Sequence, residues 1–178
     1  MNKKNTVSVN SRKWLLRPEL EKILKSAKKR SHRDYSLILL SYRHGLRSGE
    51  LLLLRYSNID FKQNLIWIER LKGGISSNHV LAPDECKIIK KLQKQSDSDF
   101  IYRIKTPRIR QICAEIGKDT KIDFNHHRLR HTCGYDMAMS NIDVYKIKNF
   151  LGHSNINNTM IYVRGAGQEV KNLPKWHL

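Results

Sequence analysis

The sequence has no long apolar run. Of its 178 residues, 39% are hydrophobic, which is typical of a globular chain. No stretch approaches the about 20 apolar residues that a membrane-spanning helix needs. The basic N-terminus is not followed by an apolar segment, so no signal peptide is predicted. We therefore expect a cytoplasmic protein with no membrane partner.

Cysteine is scarce. The three cysteines, Cys86, Cys113 and Cys133, stand far apart, and none belongs to a Cys-x-x-Cys pair. An odd number of isolated cysteines argues against a disulfide framework. They are predicted to be reduced thiols in the protein interior.

Acidic residues are also few. The chain has 16 Asp and Glu against 34 Lys and Arg, a formal net charge of +18. Such an excess attracts polyanions, and nucleic acid is the expected partner because its phosphates release counterions on binding. A ribosomal protein or a protein that binds anionic membranes would show the same balance. The acids are scattered and no GxxxxGK[ST] loop occurs, so neither a metal nor a cofactor is expected.

The hydrophobic pattern predicts one domain that is mainly α with a small antiparallel β-sheet. Residues 1–16 are predicted to form a flexible basic N-terminal arm, and residues 17–178 the folded domain. Apolar and polar residues alternate over 64–72, which indicates a strand, and a partner strand is predicted over 78–82. A Lys-Gly-Gly turn joins the two.

Helices are predicted on both sides of this hairpin. Ser31, Ser48 and Thr106 are predicted to cap helices at their N-termini, and Gly45 and Gly117 to end them. Another helix starts at Pro83, and three short helices follow residue 125.

Three short strings carry residues suited to chemistry on phosphate. HGLRSGELL places Arg47 between two predicted helices, and HHRLRHTCG places His127 and Arg130 three residues apart, on one helical face. In LGHSNINNTMIYV, His153 precedes Tyr162 by nine residues. Taken singly, each residue fits an ordinary role as a surface charge, a solvated basic face, a capping histidine or a core tyrosine.

Together with Lys72 in the hairpin, these strings resemble the tyrosine recombinase (phage integrase) family. Its members carry an Arg after Gly-Leu, a hairpin Lys, a His-x-x-Arg motif, and then a His and a Tyr, in the order found here. The resemblance covers about residue 17 to about residue 164. RLKGGISSNHVL, LRHTCGYDMAMSNID and LGHSNINNTMIY resemble the fimbrial phase-variation recombinases in particular. The resemblance implies the integrase catalytic-domain fold without a separate core-binding domain.

The resemblance assigns the central chemistry to three of these residues. Tyr162 is the expected nucleophile on a DNA phosphodiester. The five-coordinate transition state gains negative charge on its non-bridging oxygens, and guanidinium groups can hold those oxygens in a bidentate fork. Arg47 and Arg130 are the expected donors.

By the same resemblance, His127 is the expected acid/base, Lys72 protonates the leaving 5′-hydroxyl, and His153 hydrogen-bonds the scissile phosphate. His127 competes with its neighbours His126 and His131, and the three-residue spacing to the motif arginine selects it. The neighbouring Arg70 and the hairpin glycines leave the register of Lys72 open.

Further DNA contacts are expected from Arg108 and Arg110, on the helix that begins near Thr106, and from Arg128 and His131 beside the pocket. A solvated charged surface would show the same residues.

The resemblance implies site-specific recombination of double-stranded DNA, with inversion of a promoter-bearing segment at short inverted repeats. The implied assembly is a homo-tetramer on DNA in the bacterial nucleoid, with accessory DNA-bending proteins as possible partners. Two alternatives remain open, namely integration or excision of a mobile element and a DNA-binding regulator with an idle pocket. A general basic nucleic-acid binder would not need Tyr162.

Overall fold

The computed structural model describes residues 12–167, which form eight α-helices and three strands. The helices are α1 (Arg17–Arg30), α2 (His32–Arg43), α3 (Ser48–Leu52), α4 (Pro83–Gln93), α5 (Thr106–Thr120), α6 (His126–Met139), α7 (Val144–Leu151) and α8 (Asn157–Gly167). The strands β1 (Ile59–Asp60), β2 (Leu65–Ile68) and β3 (Ser77–Val80) form one antiparallel sheet in the order β1-β2-β3. The expected fold class, mainly α with a small antiparallel sheet, is confirmed.

The β2–β3 hairpin carries Lys72 in its turn. Leu65 pairs with Val80 and Ile68 with Ser77, which makes both strands shorter than the alternation predicted. Lys72 adopts a left-handed φ of 58°. The sequence did not predict β1, because a two-residue strand leaves no alternation to detect.

The predicted helix boundaries are partly confirmed. The Ser31 side chain caps α2 by accepting from the Asp34 N–H at 3.0 Å, and Gly45 follows its end with φ 57°. The other cap predictions were wrong by one residue, because Arg47 and Lys105 stand at the N-cap positions of α3 and α5.

The predicted end of α5 at Gly117 was also wrong, because the helix continues to Thr120. The Thr120 hydroxyl donates to the Ile116 carbonyl at 2.8 Å, which supports the last turn. Gly117 is instead needed for packing, because a β-carbon there would lie 3.0 Å from the Ile122 carbonyl oxygen.

The buried apolar side chains form two clusters. The larger one joins α1, α2, α4 and α5 to the inner face of the sheet, where Ile66 and Ile68 are fully buried. The smaller one lies between α6, α7 and α8 and includes Tyr135, Leu151 and Tyr162. All three cysteines are free and buried, as the sequence predicted.

The segment 12–16 packs against α6, although it belongs to the arm that the sequence predicted. Leu15 is 1% exposed, and its N–H donates to the Thr132 hydroxyl at 2.9 Å. The ring of Trp14 stacks on Tyr135 with centroids 4.3 Å apart. The folded unit thus begins before Arg17, while residues 1–11 lie outside the described residues.

Candidate active site

A buried glutamate, Glu50, organises the arginines of the site. Its carboxylate accepts from the Arg47 N–H at 2.9 Å and from Arg47 Nη1 at 2.5 Å. It also accepts from Arg70 Nη1 at 2.8 Å, and Arg130 Nη1 lies 3.5 Å away. Burial acts to raise the pKa of Glu50, but the Arg47 N–H and the charges of Arg70 and Arg130 outweigh burial and lower it. Glu50 therefore stays ionised between three cations.

Arg130 is fixed by backbone carbonyls. Nη1 donates to the Gly45 oxygen at 2.6 Å and Nη2 to the Leu151 oxygen at 2.7 Å. Burial, with help from the charge of Arg47, lowers the pKa of Arg130 to about 10. The guanidinium is thus still charged at neutral pH, and its position is set by the turn after α2 and the end of α7.

Arg70 is a second buried arginine, for which no role was predicted from the sequence. Nη2 donates to the His44 oxygen at 2.9 Å and to the Phe150 oxygen at 2.5 Å. The close approach of its side chain to Gly152 leaves no space for a β-carbon there. Arg70, just after β2, therefore ties the hairpin to the end of α7, from which the turn to His153 begins.

Arg47 differs from these two because its guanidinium reaches solvent. Its side chain is 26% exposed, against 2% for Arg130 and 0% for Arg70. Of the three arginines around Glu50, Arg47 is thus the most accessible to a bound phosphate.

The hydroxyl of Tyr162 meets His131. The oxygen lies 3.0 Å from Nδ1 of His131, and the two rings are edge-on, with centroids 5.7 Å apart. His127 packs edge-on against His131 at 4.5 Å and is exposed. The structure thus places His131, rather than His127, in hydrogen-bond contact with the hydroxyl. The i, i+4 spacing on α6 could have revealed this pair.

His153 flanks Tyr162 on its other side. Its ring is nearly parallel to the phenol, at 17° and 6.4 Å between centroids, and Nδ1 bonds the Thr159 hydroxyl at 2.8 Å. The third candidate histidine, His126, is buried and bonds Ser41 at 2.8 Å. It therefore serves the core between α2 and α6.

Burial and positive charge set the protonation of the site. Burial lowers the pKa of His153 to about 3 with help from Arg130, and that of His131 to about 4 with help from His127. Partial loss of solvent around the ring and the charge of Arg130 also lower the pKa of His127. Burial raises the pKa of Tyr162 to about 12, although Arg130 acts in the opposite direction. At neutral pH the site thus holds neutral imidazoles beside a protonated phenol.

Lys72 lies apart from these groups. It is exposed in the hairpin turn, and within residues 12–167 it forms no hydrogen bond or ion pair. The hairpin nevertheless reaches the site through its next glycines, since a β-carbon at Gly74 would lie 2.6 Å from the Gly152 oxygen.

The residues expected to contact DNA have different surroundings. Arg110 is exposed, and Arg108 is 3.5 Å from Glu115. Arg128 is tied inward, since its guanidinium donates to the Asp123 and Trp14 carbonyls.

Over the described part of the chain, no group of three or more His, Cys, Asp or Glu side chains could hold a metal ion. Within the same residues, no helix is long and apolar enough to cross a bilayer.

The sequence profile of the phage integrase family matches residues 13–169. The chain belongs to the phage integrase family. It is 35% identical over 175 residues to the type 1 fimbriae regulatory protein FimB of Escherichia coli K12, covering 89% of this chain and 88% of FimB. It is 38% identical over 145 residues to FimE of the same strain, covering 73% of each. This phage integrase family member is therefore a tyrosine recombinase of the Fim type, an enzyme of site-specific DNA recombination.

Solved structures of the family share the fold. The crystal structure of XerA recombinase has a TM-score of 0.76 at 22% identity, covering 90% of this chain and 66% of XerA. The catalytic domain of bacteriophage HP1 integrase has a TM-score of 0.71 at 16% identity, covering 89% and 90%. XerH, bound to its palindromic difH substrate in a post-cleavage complex, has a TM-score of 0.77 at 19% identity, and this chain covers 51% of it.

Proposed function

We propose that this recombinase cuts and rejoins DNA through a 3′-phosphotyrosyl bond at Tyr162. The Tyr162 oxygen attacks the phosphorus, the bond to the 5′-oxygen breaks, and a 5′-hydroxyl is released. Rejoining reverses the step, with the 5′-hydroxyl of another strand displacing the tyrosine, so the bond energy is kept and no ATP is needed. The contact between the Tyr162 hydroxyl and His131, beside the arginine cluster, carries this proposal.

The arginines stabilise the transition state. Arg47, with its partly exposed guanidinium, binds one non-bridging oxygen of the phosphate, and Arg130 approaches the other. Glu50 and the carbonyls of Gly45 and Leu151 hold the two side chains in place before DNA binds. Loss of a preorganised donor at such a centre lowers the rate by about 10²–10³.

The proton of Tyr162 passes to the His127–His131 pair. His131 makes the contact with the hydroxyl, and a neutral imidazole can accept a proton there. His127 adjoins it at the exposed edge and exchanges the proton with solvent. His153 hydrogen-bonds the phosphate, and Lys72, brought in by the hairpin when DNA binds, protonates the 5′-oxygen. General acid catalysis of this kind contributes about 10²–10⁴ in rate.

We infer that the nucleophile is withdrawn from solvent before DNA binds. Tyr162 is 2% exposed, and burial favours its neutral form. DNA binding has to move α8 outward and the hairpin inward to bring Tyr162 and Lys72 to one phosphate. The hairpin contacts the end of α7 at Gly74 and Gly152, and the turn from Gly152 leads into α8, so both movements act on this contact.

The substrate is double-stranded DNA with short inverted repeats, and the product is inversion of the segment between them. The net charge of +18 supports a DNA partner, and the similarity to two fimbriae regulatory proteins supports inversion of a promoter-bearing segment. We place the reaction in the bacterial cytoplasm, with accessory DNA-bending proteins aiding synapsis. The domain assignment, an arm followed by a catalytic domain from residue 17, is kept with Trp14 and Leu15 added to the catalytic unit.

A covalent trap tests the reaction. Nicked duplexes built from candidate inverted repeats are incubated with the wild type and with Tyr162→Phe, and both are run on a denaturing gel. An adduct that needs Tyr162 is expected. If both proteins bind DNA equally and neither forms an adduct on any repeat, a regulator with an idle pocket replaces this proposal. Exchange on inverted rather than direct repeats separates inversion from integration or excision.

Tetramer assembly is proposed to depend on the tail. Its apolar Val170, Leu173, Trp176 and Leu178 lie outside the described residues. We expect deletion of residues 167–178 to weaken synaptic complexes in a gel-shift assay. Unchanged complexes would refute this role of the tail.

A further inference from the structure

The segment 12–16 runs along α6 beside the two site histidines. The Trp14 carbonyl accepts from Arg128 Nη2 at 3.0 Å, and the Leu15 N–H donates to the Thr132 hydroxyl at 2.9 Å. Arg128 and Thr132 are one helical turn apart, and each directly follows one histidine of the His127–His131 pair. The segment therefore lies along the row of α6 side chains that adjoins this pair.

The same segment contacts the helix of the nucleophile. A β-carbon at Gly165 would lie 2.6 Å from Cη2 of Trp14, so the indole rests on the backbone of α8 three residues after Tyr162. The indole also stacks on Tyr135 of α6, with ring planes 9° apart. Trp14 thus sits between the two helices whose side chains meet at the Tyr162 hydroxyl.

Lys13 precedes this anchor and is exposed. It directly precedes Trp14 and Leu15, whose backbone bonds Arg128 and Thr132 beside the pair, and after burial and other nearby charges its positive charge also helps to lower the pKa of His127 and His131. No acidic side chain among residues 12–167 forms an ion pair with Lys13, whereas its neighbour Arg12 pairs with Glu19 at 3.2 Å.

We propose that Lys13 binds a DNA backbone phosphate next to the scissile one, held at the rim of the pocket by Trp14 and Leu15. The assignment rests on the proposed function, because it takes the pocket around Tyr162 as the place where DNA is cut. It adds a phosphate-binding residue from a segment outside the motif strings.

A phosphate is the ligand that this environment selects. The positive charges of Arg130, Arg47 and Lys13 all act on His127, and like charges held near one another repel. A bound anion relieves this repulsion, and the compact, flexible lysine ammonium suits a backbone phosphate as a point charge. The fixed backbone of Trp14 and Leu15 limits the positions that the ammonium can sample, so one phosphate is favoured over its neighbours.

The test uses the full chain as wild type, Lys13→Gln and Lys13→Arg, with Lys94→Gln as the control for loss of one exposed charge. Binding is measured on a set of duplexes that each carry one uncharged methylphosphonate near the cut site. Wild type, Lys13→Arg and Lys94→Gln are expected to lose affinity when the phosphate beside the scissile one is neutral, and Lys13→Gln to be insensitive at that position alone. On unmodified DNA, log K should decrease less steeply with log salt for Lys13→Gln, by about 0.9 in the slope.

A Lys13→Gln protein that responds to every methylphosphonate as the wild type does would overturn the assignment. Failure of the proposed function is a separate result, since it shows as the absence of a Tyr162-dependent adduct with the wild type. Thermal unfolding of Lys13→Gln, expected to match the wild type because the side chain is exposed, confirms that the comparison is made on folded protein.

Discussion

The phenol ring of Tyr162 lies directly on the backbone of Gly134. A β-carbon at Gly134 would be 2.5 Å from Cε2 and 2.7 Å from Cδ2 of the ring. Gly134 stands three residues after His131 on α6, so the missing side chain opens the space through which α8 brings Tyr162 to its hydrogen-bond partner. In a close-packed interior, no relaxed structure could keep both the ring position and an added methyl group.

Gly134→Ala is therefore expected to displace the Tyr162 ring. Overpacking costs about 1–3 kcal/mol, partly offset by the higher helix propensity of Ala, about 1 kcal/mol. The yield of covalent adduct on a nicked duplex should fall strongly even where the protein stays folded, because the Tyr162 hydroxyl loses its contact with His131. Gly167→Ala is the control, since a β-carbon there meets nothing within 4 Å. Equal adduct yields from the two variants would contradict the packing argument.

Glu50→Gln should destabilise the whole arginine cluster. Glu50 is fully buried between Arg47, Arg70 and Arg130, and removal of its charge leaves buried cations without their counterion. Breaking such a buried pair costs about 3–5 kcal/mol. Urea denaturation measures the change in the free energy of unfolding.

The matched control for this charge removal is Glu21→Gln. Glu21 pairs with Arg17 at 2.9 Å, but both side chains are more than 60% exposed, at 62% and 73%. Exposed pairs contribute about 0–1 kcal/mol. If the two variants lost similar stability, the account of Glu50 as the centre of the cluster would be wrong.

Sequence motifs pointed to the residues proposed to act on the phosphate, but not to those that hold them in place. Arg47, Arg130 and Tyr162 stand in strings that resemble the family, and the structure brings them to one region. Glu50, by contrast, is one glutamate in an ordinary helical string. Its role arises only because the fold brings Arg70, twenty residues away, onto the same carboxylate.

The protonation of the site was equally hidden. The spacing in His-x-x-Arg selected His127, but the contact with the Tyr162 hydroxyl depends on the angle at which α8 crosses α6. The packing between these helices includes the Tyr162 ring on Gly134 and Trp14 on Gly165, and local periodicity carries no information on such contacts. The raised pKa of Tyr162 likewise follows from burial, which a motif does not encode.

The free energy of unfolding should fall as the pH decreases below about 6.5. His153 has a pKa of about 3 in the folded protein, lowered by burial and by Arg130, against about 6.5 in the unfolded chain. Between these values the unfolded chain binds the proton and the folded protein does not, so stability is complete above the unfolded pKa and is lost toward acid. His131, with a pKa of about 4, acts in the same direction.

His153→Gln should make this decline shallower by up to about 1.4 kcal/mol per pH unit, since one titrating group is removed. Urea denaturation at a series of pH values from neutral to acid gives the slope. The control is His32→Gln, at an exposed histidine on α2. Its free energy of unfolding is expected to decrease with falling pH as that of the wild type does. A His153→Gln slope equal to that of the wild type would show that His153 does not remain neutral in the folded protein.

Arg110 and Arg128 should separate DNA binding from folding, although the sequence grouped both as DNA contacts. Arg110 is exposed on α5, so Arg110→Gln is expected to change stability by less than about 0.5 kcal/mol. It should lower DNA affinity and make the slope of log K against log salt less steep by about 0.9.

Arg128 donates to the Trp14 and Asp123 carbonyls, and its side chain is only 12% exposed. Arg128→Gln should therefore cost about 1–3 kcal/mol of stability by leaving these acceptors unpaired. Urea denaturation of both variants measures the free energy of unfolding, and gel shifts at several salt concentrations measure their DNA affinity. A stable Arg128→Gln protein that binds DNA poorly would contradict this interpretation. It would show that Arg128 contacts DNA and that its bond to Trp14 does not hold the segment 12–16 on α6.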